Sequence, residues 1–341
     1  MLRLTLPLIA CLAGLTSVAS AQVDAHVHSL ALPRTALGSY VPELHSTVLT
    51  LAVVIADTPN QDRDIATAAW QALALSGMGS NMRYGHHKTE LKKLIVWLTR
   101  QQTALTDNIN APRLDRADGV LMALAFTRIG VESEYKLLNR FIEGSIKSWL
   151  PKFAERDARP PTTEETALLA LLAQSLKQAN QPRLLQQVLA LAKRGAAATP
   201  TTTATTTGQT LRLHAAARHC VELAAGAQYP PELTLAQCWP DDALAAPLHA
   251  WLGAFQVRTL PASVRTAHWQ RVQPLIAKRQ ASHLWPKSGK RDAMTTSAMM
   301  LAVIGMCHGN KTDRNDSSAA KAADPPRDHK DPRKQSKRQR L

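Results

Sequence analysis

Cys307 and His308 are the adjacent pair in this chain best suited to metal chemistry. They end an apolar segment and are followed by Gly309. Thiolate and imidazole groups are good ligands for Zn²⁺, and a third ligand could come from Cys220 or Cys238. The alternative is that Cys307 is a buried small apolar residue and that Gly309 ends a helix. A Cys220–Cys238 disulfide also stays open, because spacing alone does not establish one.

A second candidate lies at His86 and His87, between two segments with helical patterns. Loops on one face of a helical-repeat protein can line the mouth of a funnel, so these imidazoles are candidates for contact with a ligand or a metal. The alternative is a solvated polar loop that binds nothing.

No set of residues predicts a catalytic mechanism. The acidic pairs in the chain, Asp62 with Asp64 and Asp241 with Asp242, are explained as helix caps and loop charges. A His-x-His pair in residues 24–28 (DAHVH) would bind metal at the end of a barrel strand, but no alternation of strands and helices follows it. We therefore expect no catalytic residues and no cofactor, unless Cys307 and His308 hold zinc.

The first 21 residues predict a cleaved export signal. Arg3 is the charged part, residues 4–18 are the apolar part, and residues 19–21 (ASA) form a small-x-small cleavage site. The apolar part is too short, and too interrupted by Pro and Gly, for a stable membrane span. Residues 8–11 (LIAC) also have the types needed for lipoprotein processing at Cys11, which is the alternative. The sequence predicts a periplasmic or extracellular protein.

The net positive charge of the chain indicates which classes of partner it could bind. Lys and Arg number 41 against 26 Asp and Glu, a net charge of +15. Ten of the cations and five of the acids lie in residues 308–341, which have almost no apolar side chains and are predicted to be disordered. Outside the cytoplasm, this basic tail favours an anionic envelope polymer, lipid head groups or a protein partner, and no nucleic acid is expected.

Residues 64–102 predict a pair of helices joined by a loop at 78–88. Asp64 is placed to cap an alanine-rich first helix, which Gly77 and Gly79 end. The second helix carries an apolar stripe at spacings of three and four, with basic residues off the stripe; the stripe is Leu91, Leu94, Ile95 and Leu98. The pattern predicts a buried inner helix packed against a half-exposed outer one.

The same pairing recurs to residue 307, after a first helix at 45–56. Inner helices are predicted at residues 117–130, 163–178, 211–225, 244–257 and 295–307, and outer ones at 133–150, 183–194, 232–238 and 262–280. The inner helices align on one small residue each, in steps of 34 to 54 residues: Ala69, Ala123, Ala170, Ala216, Ala250 and Ala298. Such spacing is typical of helix-pair repeats. No sheet is predicted, and the Thr-rich residues 196–208 are expected to form an exposed loop.

Taken in order, five of these segments resemble the prenyltransferase and squalene-cyclase-like repeats of secreted bacterial proteins. They are residues 67–79 (TAAWQALALSGMG), 91–102 (LKKLIVWLTRQQ), 117–130 (ADGVLMALAFTRIG), 248–280 and 284–307. The resemblance covers about residues 64–307 and implies an α/α toroid, in which a ring of inner helices lies within a ring of outer ones. Gln280 with Trp285, and Gln101-Gln102, resemble remnants of the family's Gln…Gly-x-Trp motif. The Asp-rich acid motif of the family's cyclases is absent.

Cys307, His308 and Gly309 also resemble the Cys-His-Gly signature of lanthionine-forming cyclases, which share the toroid. The companion Trp-Cys motif of those enzymes is missing.

The sequence thus predicts an all-α protein with a leader at residues 1–21, an extended lead-in at 22–44, a toroid-like domain at 45–307 and a disordered basic tail at 308–341. The expected function is a non-catalytic binding or interaction module that uses the funnel, the loops or the tail. One alternative is a zinc-dependent enzyme of the toroid superfamily, lanthionine-cyclase-like or prenyltransferase-like, at Cys307 and His308. Another is an open solenoid, in which the last helix would lie far from the first.

Overall fold

Helices account for nearly all of the regular structure in the computed structural model. It describes residues 44–83, 85–107, 114–133, 138–154, 158–198, 208–227, 240, 243, 246–257, 274–278, 283–287 and 290–309. The helices are α1 (His45–Asp57), α2 (Ile65–Gly77), α3 (Lys88–Asp107), α4 (Arg116–Ser133), α5 (Leu138–Trp149), α6 (Pro151–Ala154), α7 (Thr163–Gln178), α8 (Pro182–Ala197), α9 (Gly208–Ala224), α10 (Pro247–Val257) and α11 (Ala293–Gly309). The predicted all-α class is confirmed for this part of the chain.

Helix α2 shows why the alanine-rich segments lie inside. The Asp64 carboxylate accepts a hydrogen bond from the Thr67 backbone N–H at 2.7 Å, which caps the helix as predicted. Every residue from Ala68 to Gly77 is buried, so the helix has no solvent face. Gly79 takes a φ of +87°, in the left-handed region that glycine reaches without steric cost.

The inner helices contact one another in a fixed order. Helix α2 packs against α4, α4 against α7, α7 against α9, α9 against α10, and α10 against α11. Helix α11 in turn packs against α2. The aligned alanine of each helix is buried: Ala69, Ala123, Ala170, Ala216, Ala250 and Ala298. Small side chains at these positions let the helix axes approach closely, which explains why alanine recurs there.

Three amphipathic helices each pack on one of the helices that were predicted to be inner. Helix α3 packs on α2, α5 on α4, and α8 on α7, so three of the predicted pairs are present. The outer helices predicted at 232–238 and 262–280 lie outside the described residues, apart from residues 274–278. The predicted apolar stripe of α3 is buried, whereas Lys92, Lys93 and Arg100 are exposed. Helix α1 packs on both α2 and α3.

Glycines set the closest approaches between helices. A Cβ added at Gly119 of α4 would lie 2.7 Å from Trp149 Cδ1 of α5, well inside van der Waals contact. A Cβ at Gly144 of α5 would collide with the side-chain amide of Gln102 on α3. These two glycines therefore allow α5 to pack against both α4 and α3.

Several predicted boundaries are wrong by a few residues. Ser133 ends α4 and does not begin α5, which starts at Leu138. The Thr-rich loop is shorter than residues 196–208, because α8 reaches Ala197 and Gly208 begins α9. Helix α11 ends at Gly309 and includes His308, so these two residues, which were predicted to belong to the tail, are helical.

A short antiparallel hairpin is a further correction to the prediction of no sheet. Strands β1 (Pro286–Lys287) and β2 (Lys290–Arg291) pair Pro286 with Arg291 and Lys287 with Lys290. Two residues per strand are too few to show a period-2 pattern, so sequence periodicity could not reveal them.

Trp285 precedes this hairpin and anchors it to α11. Its side chain is fully buried, and its indole N–H donates to the Leu275 carbonyl at 2.9 Å. Its backbone N–H donates to the Thr296 hydroxyl at 3.0 Å. The tryptophan identified as a motif remnant is therefore a packing residue that links α11 to the preceding chain.

Candidate functional site

The α2–α3 loop, which carries His86 and His87, is compact. Gly85 has a φ of +106°, and a Cβ there would lie 2.5 Å from the Ser80 Cα, so only glycine fits this crossing of the loop. The Ser80 hydroxyl accepts a hydrogen bond from the His87 backbone N–H at 3.2 Å. The His87 carbonyl accepts from the Leu91 N–H, so His87 immediately precedes the first turn of α3. The loop thus has a defined shape that holds the two imidazoles next to each other.

The two histidines differ in environment. His86 is exposed, whereas His87 is half-buried. Burial lowers the pKa of His87, Glu90 opposes that shift, and the nearby His86 and His45 lower it further. The lowered pKa favours the neutral form of His87, in which an imidazole can accept a hydrogen bond or bind a metal.

Carboxylates gather at the opposite end of α2. Burial raises the pKa of Asp118, and the negative charges of Asp115, Asp64 and Glu164 raise it further. These residues lie at the N-terminal ends of α2, α4 and α7, so the three inner helices begin at the same end of the protein. Asp115 accepts a hydrogen bond from the Ala117 N–H at 3.2 Å. The carboxylates here serve the ends of helices.

Glu165 forms the most heavily bonded polar cluster in the described residues. Its two oxygens accept from Arg116 Nε and Nη2 at 3.0 and 3.1 Å and from Arg159 Nη1 and Nη2 at 3.2 and 3.1 Å. They also accept from the Thr162 backbone N–H at 2.7 Å, in a capping box. The Arg116 guanidinium lies 4.3 Å from the centroid of the Phe153 ring. This cluster fixes the start of α7 against α4.

Sequence reasoning missed the Glu165 cluster, although a signal was present. Thr162 and Glu165 stand three residues apart just before an apolar run, which is the signature of a capping box. Nothing in the sequence indicates that Arg116, 49 positions earlier, would complete it.

The inner helices also bury polar groups that sequence reasoning did not select. Arg128 of α4 is 7% exposed and His249 of α10 is fully buried. On the same helix, Trp251 contacts Trp70 of α2 edge to face, with ring centroids 5.3 Å apart. This contact fills the space between α2 and α10 beside α11.

Of the predicted metal ligands, Cys307 and His308 lie in the last turn of α11, and their side chains lie outside the described part of the structure. Cys220 is fully buried on α9, and Cys238 lies outside the described residues, so the disulfide stays a prediction. No group of three or more His, Cys, Asp or Glu side chains within the described ranges has an arrangement that could hold a metal ion. Zinc at Cys307 therefore stays untested.

The leader with Cys11, the DAHVH segment, Asp241-Asp242 and residues 310–341 of the predicted tail lie outside the described residues. Among the helices that are described, none combines the length and the hydropathy needed to cross a membrane.

Comparison with known proteins gives no relative from which an activity could be transferred. No family model matches the chain, and no curated protein or solved structure shows significant similarity to it.

Proposed function

We propose that this is an exported, non-catalytic α/α toroid that acts as a binding or interaction module. The observation that carries the proposal is the order of contacts among the inner helices, in which α11 returns to α2. An open solenoid has no such contact, because each repeat touches only its sequence neighbours. The shared end at which α2, α4 and α7 begin also supports a ring of parallel inner helices.

The non-catalytic part of the proposal is supported by how three of the acidic groups are used. Asp64 and Asp292 accept hydrogen bonds at the starts of α2 and α11, and Glu165 is held by two arginines. Acids engaged in this way stabilise helices and are poor proton donors to a substrate. The α2–α3 loop, where His86 is exposed, is the surface we assign to recognition.

The location and partner follow from the leader and the charge. A chain cleaved after Ala21 would act in the periplasm or outside the cell, where a protein with this excess of Lys and Arg meets anionic envelope polymers and lipid head groups. Mass spectrometry of the protein from an exporting bacterial host tests this step. A mature N-terminus at Gln22 is expected, and a lipid on Cys11 would contradict it.

Hydrogen exchange tests ring closure. Ala298 of α11 is 2% exposed, so Ala298→Leu should overpack the contacts of α11 with its neighbours. In a closed ring, exchange should quicken in α2 as well as in α10. As a matched control, Ala192→Leu overpacks the outer helix α8 and should leave α2 protected, provided that the protein stays folded. Faster exchange in α10 alone in the Ala298→Leu variant would support the open solenoid.

Metal content tests the enzyme alternative. Elemental analysis of residues 22–341 after gel filtration should find no zinc, either in the wild type or in a Cys307→Ala, His308→Ala variant. One zinc per chain that is lost in the variant would overturn the non-catalytic proposal.

A further inference from the structure

We propose that the face formed by α1 and α3 docks on an anionic lipid surface. Four large apolar side chains are strongly exposed in the described residues, and three of them lie on these two helices. Leu49 and Val53 of α1 are 45% and 58% exposed, and Val96 of α3 is 45% exposed. Leu49 and Val53 are four residues apart and so lie on the same side of α1.

The exposed side of α1 carries almost nothing that requires water. Residues 46–56 contain no charged side chain, although part of this helix faces solvent. The Thr50 hydroxyl donates to the Ser46 carbonyl at 3.0 Å, so its hydrogen bond is made within the helix. The part of this surface between His45 and Asp57, the exposed residues four before Leu49 and four after Val53, can therefore enter the boundary between lipid head groups and acyl chains without burying a charge.

Cations surround the apolar residue of α3. Lys92, Lys93 and Arg100 are exposed and lie four before, three before and four after Val96, which places them around it on one side of the helix. Lys93 Nζ also donates to the Ala56 carbonyl at 2.6 Å and ties the two helices together. Long basic side chains beside apolar ones suit a membrane surface, because their stems lie along apolar groups while their charges reach phosphates.

The charges favour lipid over a second copy of this chain. A two-fold contact through this face would bring the Lys92 and Arg100 of one copy towards those of the other. The net charge of +15 adds to that repulsion and attracts an anionic bilayer. Asp57, Glu90 and Asp107 are the acids on these helices, one fewer than the four cations Lys88, Lys92, Lys93 and Arg100.

This inference rests on the proposed role as an exported binding module and names its partner class. Lipid binding by this face requires neither ring closure nor the absence of zinc. A failure to bind lipid would therefore leave those two parts of the proposed function unaffected.

Vesicle co-sedimentation tests the proposal with the chain from Gln22 to Leu341. Wild type should bind vesicles made of equal parts phosphatidylcholine and phosphatidylglycerol, and should bind phosphatidylcholine alone much more weakly. A Leu49→Ser, Val53→Ser variant should have a partition coefficient about tenfold lower. Lys92→Gln with Arg100→Gln should lower it about fivefold for each charge and reduce its salt dependence.

Leu211→Ser is the matched control, because Leu211 is 46% exposed but lies on α9. It should bind as wild type does, and all variants should keep the wild-type circular dichroism and melting temperature. Failure of wild type to bind anionic vesicles overturns the proposal. Unchanged vesicle binding by the Leu49→Ser, Val53→Ser variant would also overturn it, and would indicate that the basic tail binds the lipid. A concentration-dependent dimer that the Leu49→Ser, Val53→Ser variant abolishes, without vesicle binding, would instead identify a second copy as the partner.

Discussion

The two ends of α2 differ in how their polar groups are satisfied. At its N-terminal end, Asp64 accepts a hydrogen bond from the backbone, and at the same end of the protein Glu165 of α7 accepts five hydrogen bonds on its two carboxylate oxygens. At its C-terminal end, His86 projects from a tight loop and is exposed. The first end holds helices together, and the second leaves side chains available to a ligand. We expect function at the end of α2 where the polar side chains do not serve to hold helices together.

The largest effect should come from breaking the Glu165 cluster. Glu165→Gln leaves the Arg116 guanidinium, whose side chain is 11% exposed, without its counter-charge. Removing one partner of a buried ion pair costs about 3 to 5 kcal/mol of unfolding free energy. Chemical denaturation followed by circular dichroism measures it.

Arg159→Gln is the control for that substitution, because the Arg159 side chain is 57% exposed and its ion pair is partly solvated. It should cost about 1 kcal/mol or less. Equal losses for the two variants would contradict the assignment of Glu165 and Arg116 as the buried core of the cluster.

A smaller loss should follow from closing the space at Gly119. Gly119→Ala places a methyl group against Trp149 and forces α4 and α5 apart, which costs about 1 to 3 kcal/mol. Thermal unfolding measures the change. Gly208→Ala is the control, since nothing lies within 4 Å of an added Cβ there. A Gly119→Ala variant as stable as wild type would show that α5 does not approach α4 this closely.

Removing the α2 cap should have a more modest effect. Asp64→Ala deprives the Thr67 N–H of its acceptor and should cost about 1 kcal/mol. Asp64→Ser should recover most of that loss, because serine also caps helices. If serine restored nothing, the loss would have to come from something other than the cap.

The smallest effect on stability should come from His87 in the α2–α3 loop, and it should appear only as the pH falls. Burial lowers the pKa of His87, so the unfolded chain binds a proton more tightly than the folded one. At a pH above the ordinary pKa of histidine, the free energy of unfolding of the wild type is therefore not reduced by His87. As the pH falls from that value towards the lowered pKa of the folded state, protonation of the unfolded chain reduces the free energy of unfolding. His87→Gln should flatten the fall of the melting temperature between about pH 7 and pH 5.

His86→Gln is the matched comparison for the loop, since His86 is exposed and should leave most of that slope in place. His214, whose pKa burial also lowers, keeps part of the slope in both variants. An unchanged slope in His87→Gln would show that the half-buried imidazole does not couple to folding.

The sequence by itself determined the helices and their sides. Alanine-rich patterns predicted that α2, α4 and α7 are buried on nearly all sides, and the spacing of Leu91, Leu94, Ile95 and Leu98 predicted the buried stripe of α3. Asp64 was predictable as a cap because a capping contact joins residues three positions apart. Such signals are local, since helix propensity, capping and amphipathic spacing are decided within a few turns.

Only the tertiary structure decided which distant groups meet. Glu165 meets Arg116 of another helix, and Trp70 meets Trp251 of α10, because helix packing brings together residues that no sequence spacing relates. The contact of α11 with α2 and the exposure of Leu49 and Val53 are of the same kind. An apolar pattern predicts that a residue can be buried, but burial requires a neighbour that covers it, and the fold alone supplies or withholds that neighbour.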